Sequence, residues 1–157
     1  MMEQKPLRHD LWVVVCDGRK ALLLRNEGDA KFPNLRKQDV LESTETAPTH
    51  DLGTAKPGRV FSGRDGRPAA VEPTDLHKEA EDRFLANLGK ELDRRVHENA
   101  IKAMILVAPP RAMGSLRSHL SDRVRASVLA EIEKDYVKAP IYDIEQHLKA
   151  ILGKPAP

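Results

Sequence analysis

The run of six apolar residues from Ala103 to Ala108 places strict limits on the architecture. A strand with no polar position has no face for water, so it belongs inside a sheet that is covered on both sides. Pro109 and Pro110 end the run, because proline cannot donate to a strand ladder. The rest of the chain must therefore supply neighbouring strands and helices for both faces of the sheet.

Three strands are predicted ahead of this run. Residues Leu11 to Cys16 are apolar, and an apolar stretch recurs between Lys20 and Glu27. The Asp17-Gly18 pair between them is typical of a hairpin turn, because both residues tolerate positive φ. The more polar segment from Leu35 to Thr46 is predicted to form a third strand at the edge of the sheet.

Helical spacing dominates the second half of the chain. Apolar residues recur every three or four positions from Thr74 onward, with Thr74 or Asp75 expected to cap the helix and Asn99 to end it. A second helix is predicted from about Pro110 to Leu120. A third is predicted from Pro140 to Leu152, with Ile141, Ile144, Leu148 and Ile151 facing inward.

The segment from Ser127 to Tyr136 fits two patterns. Alternation of Val128, Ala130 and Ile132 suits a strand, whereas the spacing of Val124, Val128, Ile132 and Tyr136 suits a helix. With a strand at this position the order of elements is βββαβαβα. That order predicts an α/β protein with three layers, α/β/α, around a mixed five-stranded sheet.

Composition indicates a single folded domain. The chain has 157 residues, of which 40% are hydrophobic and 32% charged, values that exclude a membrane protein and a disordered polypeptide. We expect one domain over residues 11–152, with flexible ends at 1–10 and 153–157. The N-terminus lacks the apolar core of a signal peptide, so we expect a cytoplasmic protein without membrane contact. The single cysteine, Cys16, is expected to be a buried apolar residue.

Residues 47–71 contain four glycines and three prolines and show no regular period, which predicts a long loop. The loop carries Arg59, Arg64 and Arg67 and is net basic, although the net charge of the whole chain is only +2. Arginine offers planar donor groups that match phosphate oxygens, and glycine permits close approach of the backbone. The alternative is a solvated connection with no ligand.

Six ordered blocks resemble the bacterial host attachment protein family. They are Leu-Trp-Val-Val-Val-Cys-Asp-Gly-Arg-Lys-Ala at 11–21, Gly-Arg-Val-Phe-Ser at 58–62, Thr-Asp-Leu-His-Lys-Glu at 74–79, Leu-Val-Ala-Pro-Pro at 106–110, Gly-Ser-Leu-Arg at 114–117 and Glu-Lys-Asp at 133–135. Members of that family resemble the middle domain of archaeal and eukaryotic peptide-chain release factors. The resemblance implies a ribonuclease H-like sheet with Ser127 to Tyr136 as its fifth strand.

The same resemblance puts the basic loop where release factors carry a Gly-Gly-Gln tip. The glutamines of this chain are Gln4, Gln38 and Gln146, none of them in the loop. The resemblance therefore gives no support for peptidyl-tRNA hydrolysis through that motif.

A nuclease centre would need several carboxylates around paired metal ions. Asp17, Glu79 and Asp135 can be nominated, but the fourth strand ends in Ala108-Pro109-Pro110 without an acid. The six histidines show no metal-ligand spacing with the cysteine. We therefore expect no catalytic residue, no metal and no cofactor.

The predicted binding residues fall into three groups. The arginines of the loop form the first, and Asp17 and Arg19 of the hairpin turn, with His77 at the helix start, form the second. Arg111 and Arg117 form the third, where the fourth strand leads into a helix whose N-terminus favours anions. The corresponding alternatives are a turn aspartate, a solvated or capping histidine and an ordinary strand-to-helix turn.

Three functions remain open from the sequence. The first is a non-catalytic binding module that contacts ribosomal or transfer RNA through the basic loop. The second is an adhesion or regulatory factor in host attachment, with an unknown protein partner. The third is a hydrolase that acts on RNA or peptidyl-tRNA.

Overall fold

The computed structural model describes residues 7–44 and 73–152. The strands are β1 (Trp12–Cys16), β2 (Lys20–Asn26), β3 (Leu35–Glu42), β4 (Met104–Val107) and β5 (Val128–Ile132). The helices, numbered here in chain order, are α1 (Pro73–His97), α2 (Pro110–Ser118), α3 (Asp122–Ser127) and α4 (Ile141–Leu152). The predicted loop, residues 47–71, lies outside the described part of the chain.

The five strands form one mixed sheet in the order β3-β2-β1-β4-β5. Strand β2 is antiparallel to both of its neighbours, whereas β1, β4 and β5 run parallel to one another. Strand β3 therefore points the same way as β1. The predicted sheet is confirmed, with β3 at one edge and the fully buried β4 inside, and its order and directions are those of a ribonuclease H-like fold.

Alternating side chains of the sheet enter two separate cores. Trp12, Val14 and Cys16 of β1 pack beneath α1, α2 and α3 on one face. Val13 and Val15 pack on the other face against Ile144 and its neighbours in α4. Helices therefore cover both faces, and the three-layer prediction is confirmed.

Helix α1 begins and ends close to its predicted bounds. Pro73 already belongs to the helix, so Thr74 and Asp75 lie in its first turn rather than at its cap. Asn99 follows the helix with a φ of 65°, the left-handed conformation that commonly ends helices. Close packing of α1 requires Gly89, because a Cβ at that position would lie 2.6 Å from the carbonyl oxygen of His119.

The ambiguous segment contains both kinds of structure. Helix α3, which the alternating pattern did not predict, extends to Ser127, and β5 then runs only to Ile132 instead of Tyr136. Ser121 starts the helix by accepting a hydrogen bond from the backbone N–H of Val124 at 3.2 Å. Such caps compete with extended structure. The strand ends where the charged Glu133-Lys134-Asp135 sequence leaves the sheet.

The inward-facing residues of β5 and α4 also differ from the simple periodic prediction. A register irregularity opposite Met104 and Ile105 sends Val128 to the α1 core and Ala130 to the α4 core, so these residues do not share a face. On α4, Ile151 is 38% exposed, and Leu152 is buried instead.

Candidate functional site: the carboxyl edge of the sheet

The ends of β1, β3, β4 and β5 meet at one edge of the sheet, here called the carboxyl edge. In open α/β sheets this is where ligands bind, because the loops beyond the strand ends form crevices there. Helix α1 starts at the same edge, since a Cβ on Gly18 would lie 2.6 Å from the Cγ of Glu81. The chain thus leaves the described part at Thr44, next to this edge, and re-enters near it at Pro73.

Asp17 shapes the turn between β1 and β2. Its Oδ1 accepts hydrogen bonds from the backbone N–H groups of Arg19 at 2.8 Å and Lys20 at 2.9 Å. Neither Asp17 nor Gly18 has a φ in the left-handed region. The hairpin prediction is confirmed, but its conformational reason is wrong: the aspartate holds the turn through its side chain, and glycine is needed for the close approach of α1.

One cleft at the carboxyl edge lies beside this turn. It has a volume of 390 Å³, and we call it the turn cleft. Its walls come from three separate parts of the chain: Asp17, Arg19, Lys20, Glu42, Ser43, Val137 and Lys138. The structure therefore brings the predicted Asp17 and Arg19 together with Lys138, which the sequence analysis did not select.

The turn cleft contains three cations, of which only Lys20 faces a carboxylate within the described residues. The Nζ of Lys20 lies 3.9 Å from a carboxylate oxygen of Glu42. The exposed Arg19 and Lys138 have no side-chain hydrogen bond or ion pair within residues 7–44 and 73–152. Among the described residues, these two cationic groups of the turn cleft face no carboxylate partner.

A second cleft of 300 Å³ lies between α1 and α2. Arg111 of α2 and Lys78 of α1 are exposed there, beside Asp82 and Ser115. Asp82 accepts hydrogen bonds from the Ser115 hydroxyl at 2.8 Å and from His119 Nε2 at 3.0 Å. These bonds, His119 first, lower the pKa of Asp82. The serine is thus tied to a carboxylate and contributes to helix packing.

His77 and Arg117 line neither of these clefts. Nε2 of His77 is shielded from solvent and has no hydrogen-bond partner in the described part of the chain. The guanidinium of Arg117 contacts Glu131 at 2.6 Å and Glu133 at 3.8 Å. Its hydrogen bond to Glu131 is the main cause of its raised pKa. Arg117 therefore joins α2 to β5. Neither it nor His77 lines the turn cleft with Asp17 and Arg19.

Arg59, Arg64 and Arg67, the first predicted group, lie outside the described residues. Of the carboxylates nominated for a nuclease, Asp17 is engaged by the turn. Within residues 7–44 and 73–152, no three His, Cys, Asp or Glu side chains are grouped as a metal site requires. In the same ranges no helix is long and apolar enough to span a membrane.

Lys138 could have been found from one signal. It lies in the connection that follows β5, a strand parallel to β1, and such connections meet at the ends of parallel strands. The strand predicted through Tyr136 hid the length of this connection, because β5 ends at Ile132.

The fold and the carboxyl edge define a ribonuclease H-like α/β/α domain with a crevice beyond its parallel strands. A family model places the chain more narrowly, with a match over residues 10–148. The chain belongs to bacterial archaeo-eukaryotic release factor family 12.

Comparison with solved structures finds two matches of low sequence identity. An archaeal translation termination factor, aRF1, matches with a TM-score of 0.46 and 12% identity over 90% of this chain and 36% of that chain. A structure described as an archaeal protein matches with a TM-score of 0.44 and 13% identity, over the same shares of the two chains. This chain therefore spans about a third of those proteins. None of the curated proteins matches it.

Proposed function

We propose that this protein is a non-catalytic module that binds ribosomal or transfer RNA in the cytoplasm through its carboxyl edge. The observation that carries the proposal is the position of exposed cations at that edge in a member of a release factor family. Arg19 and Lys138 lie at one cleft, and Arg111 and Lys78 lie at the next. Arginine and lysine at such positions contact phosphate oxygens.

The three arginines at 59, 64 and 67 extend this surface in our proposal. Their segment joins the described domain at Thr44 and Pro73, near the carboxyl edge. If they contact three phosphates of single-stranded RNA, the logarithm of the binding constant falls against the logarithm of salt concentration with a slope of about −2 from these contacts.

The test is cosedimentation with purified ribosomes, and filter binding of transfer RNA, across a salt series. Wild type is compared with a triple variant, Arg59→Ala, Arg64→Ala and Arg67→Ala. A matched control removes three exposed lysines away from the two clefts, Lys90, Lys102 and Lys149. We expect weaker binding and a flatter salt slope for the first variant only. If both variants lost the same RNA affinity, the effect would be one of net charge alone, and a defined binding surface would be contradicted.

The likeness of six sequence blocks to the host attachment family supports a second candidate, an adhesion or regulatory factor with a protein partner. Phosphate contacts require steep salt dependence, whereas a protein interface does not. Ribosome and transfer RNA binding that is absent at low salt would favour this second function over the first.

A further inference from the structure

We propose that the turn cleft is a phosphate-binding subsite in which Arg19 and Lys138 hold one phosphate group of a single-stranded RNA. The inference rests on the proposed function for the identity of the ligand, and on geometry for the site itself. A volume of 390 Å³ lies at the lower end of the ~300–1,000 Å³ typical of small-molecule sites, so the cleft admits a unit of nucleotide size.

The backbone that carries Arg19 is held in place before any ligand binds. The carboxylate of Asp17 accepts the N–H groups of residues 19 and 20, and the backbone N–H of Asp17 donates to the carbonyl of Lys20 at 3.0 Å. The carbonyl of Arg19 accepts the N–H of Ser43 at 2.8 Å, which ties the turn to the end of β3. A fixed backbone reduces the entropy lost when the side chain meets an anion.

Lys138 is presented to the same cleft in a similar way, from the connection after β5. The preceding residue, Val137, is buried in the α4 core with 6% exposure. A turn closes around it, in which the N–H of Ala139 donates to the carbonyl of Tyr136 at 3.0 Å. The lysine side chain is therefore exposed on a backbone that the core anchors.

The carboxylates of the cleft do not cancel these cations. Glu42 faces Lys20 at 3.9 Å, and one oxygen of Asp17 is directed to the turn. Arg19, Lys20 and Lys138 outnumber Asp17 and Glu42 by one among the lining residues. Arg19 and Lys138, whose side chains have no partners among the described residues, are 119 residues apart in the sequence. Only the fold brings them to one cleft.

The test uses the full chain and amide NMR, with three probes: a hexameric single-stranded RNA, adenosine monophosphate and inorganic phosphate. The double variant Arg19→Ala and Lys138→Ala removes the proposed contacts. The control, Lys102→Ala and Lys149→Ala, removes the same charge from exposed positions outside the cleft. Amide spectra of the free variants show whether each is folded.

We expect RNA to shift the amide signals of Arg19, Ser43 and Lys138. The double variant should bind RNA about tenfold or more weakly, because two charge-assisted contacts are lost, and its salt slope should fall by about 0.7. The control should keep the wild-type shift pattern and salt slope.

The outcomes separate the subsite from the proposed function. Equal RNA affinity and slope in wild type and double variant would overturn the subsite while leaving RNA binding intact. If RNA fails to bind but phosphate or the nucleotide shifts these amides in wild type only, the subsite stands for a small phosphate ligand and the proposed function fails. No response to any probe would overturn both.

Discussion

At the scale of single residues, Asn26 is the most heavily bonded buried polar group described. It is fully buried at the end of β2, and its Nδ2 donates to the carbonyl oxygens of Leu7 at 2.7 Å and Arg8 at 2.9 Å. Its Oδ1 accepts the backbone N–H groups of Gly28 at 2.9 Å and Asn34 at 2.8 Å. One side chain thus joins the segment before β1 to the connection between β2 and β3.

We expect Asn26→Ala to lower the free energy of unfolding by about 2–3 kcal/mol, because several buried backbone groups lose their partners. The exposed Asn87 of α1 provides a matched control, and Asn87→Ala should change the value by less than about 0.5 kcal/mol. Urea unfolding followed by circular dichroism measures both. Similar midpoints for the two variants would contradict the role assigned to Asn26.

The thiol of Cys16 provides a second residue-scale prediction. Burial raises its pKa to about 12, and the neighbouring Asp17 charge adds to the shift. Only the thiolate reacts readily, so at pH 8 the folded protein should resist iodoacetamide, whereas the chain in denaturant should react fully. Mass spectrometry after timed labelling checks this. Complete labelling of the folded chain within minutes would show that the α1 side of the sheet opens more often than its packing implies.

At the scale of elements, Arg95 connects α1 to the edge strand β3. Its guanidinium contacts Asp39 of β3 at 2.6 Å and Glu91 of α1 at 2.5 Å, and its side chain is only 16% exposed. The adjacent Arg94 has a side chain that is 53% exposed, and its partners, Glu91 and Glu98, both lie on or directly after its own helix. Comparing the two arginines therefore distinguishes the effect of a contact between two elements, made by Arg95, from that of a surface ion pair, made by Arg94.

We expect Arg95→Ala to lower the free energy of unfolding by about 1–3 kcal/mol, because Asp39 loses this cation and the link between α1 and β3 is removed, while Glu91 keeps Arg94. Arg94→Ala should have an effect below about 1 kcal/mol, since exposed ion pairs contribute little. Denaturant unfolding of both variants at low and moderate salt tests the contrast. If Arg95→Ala and Arg94→Ala are equally stable, the packing of α1 on β3 does not depend on Arg95.

How far the sequence predicts each element depends on whether its signal is local. The apolar run of β4 and the period of α1 are local patterns, and both predictions are confirmed. The break between α3 and β5 at Ser127 depends on the Ser121 cap and on pairing with β4, which sequence spacing alone does not encode. Of the site, the turn residues were predicted. Lys138 was missed because the strand was predicted to run through Tyr136, whereas β5 ends at Ile132 and leaves Lys138 in the connection after it.

At the scale of the whole molecule, the chain belongs to a release factor family, while the glutamines within its described residues lie apart from the carboxyl edge. Gln38 is exposed on β3 and contacts Glu27, and Gln146 is exposed on α4. Gln4 lies outside the described residues. The release factors that the sequence resembles use the glutamine of a Gly-Gly-Gln tip for peptidyl-tRNA hydrolysis. Residues 47–71 of this chain contain no glutamine.

We therefore predict no turnover of peptidyl-tRNA by the purified protein, even where it binds transfer RNA. The assay measures release of a labelled peptide over time with excess substrate, beside a parallel binding measurement that shows the substrate is bound. Asp17→Ala and His77→Ala variants control for a contaminating hydrolase, because contamination would not respond to either change. Multiple turnover by wild type that both variants lose would overturn the prediction and assign chemistry to the carboxyl edge, whereas binding without release fits a module that recognises RNA by charge and shape.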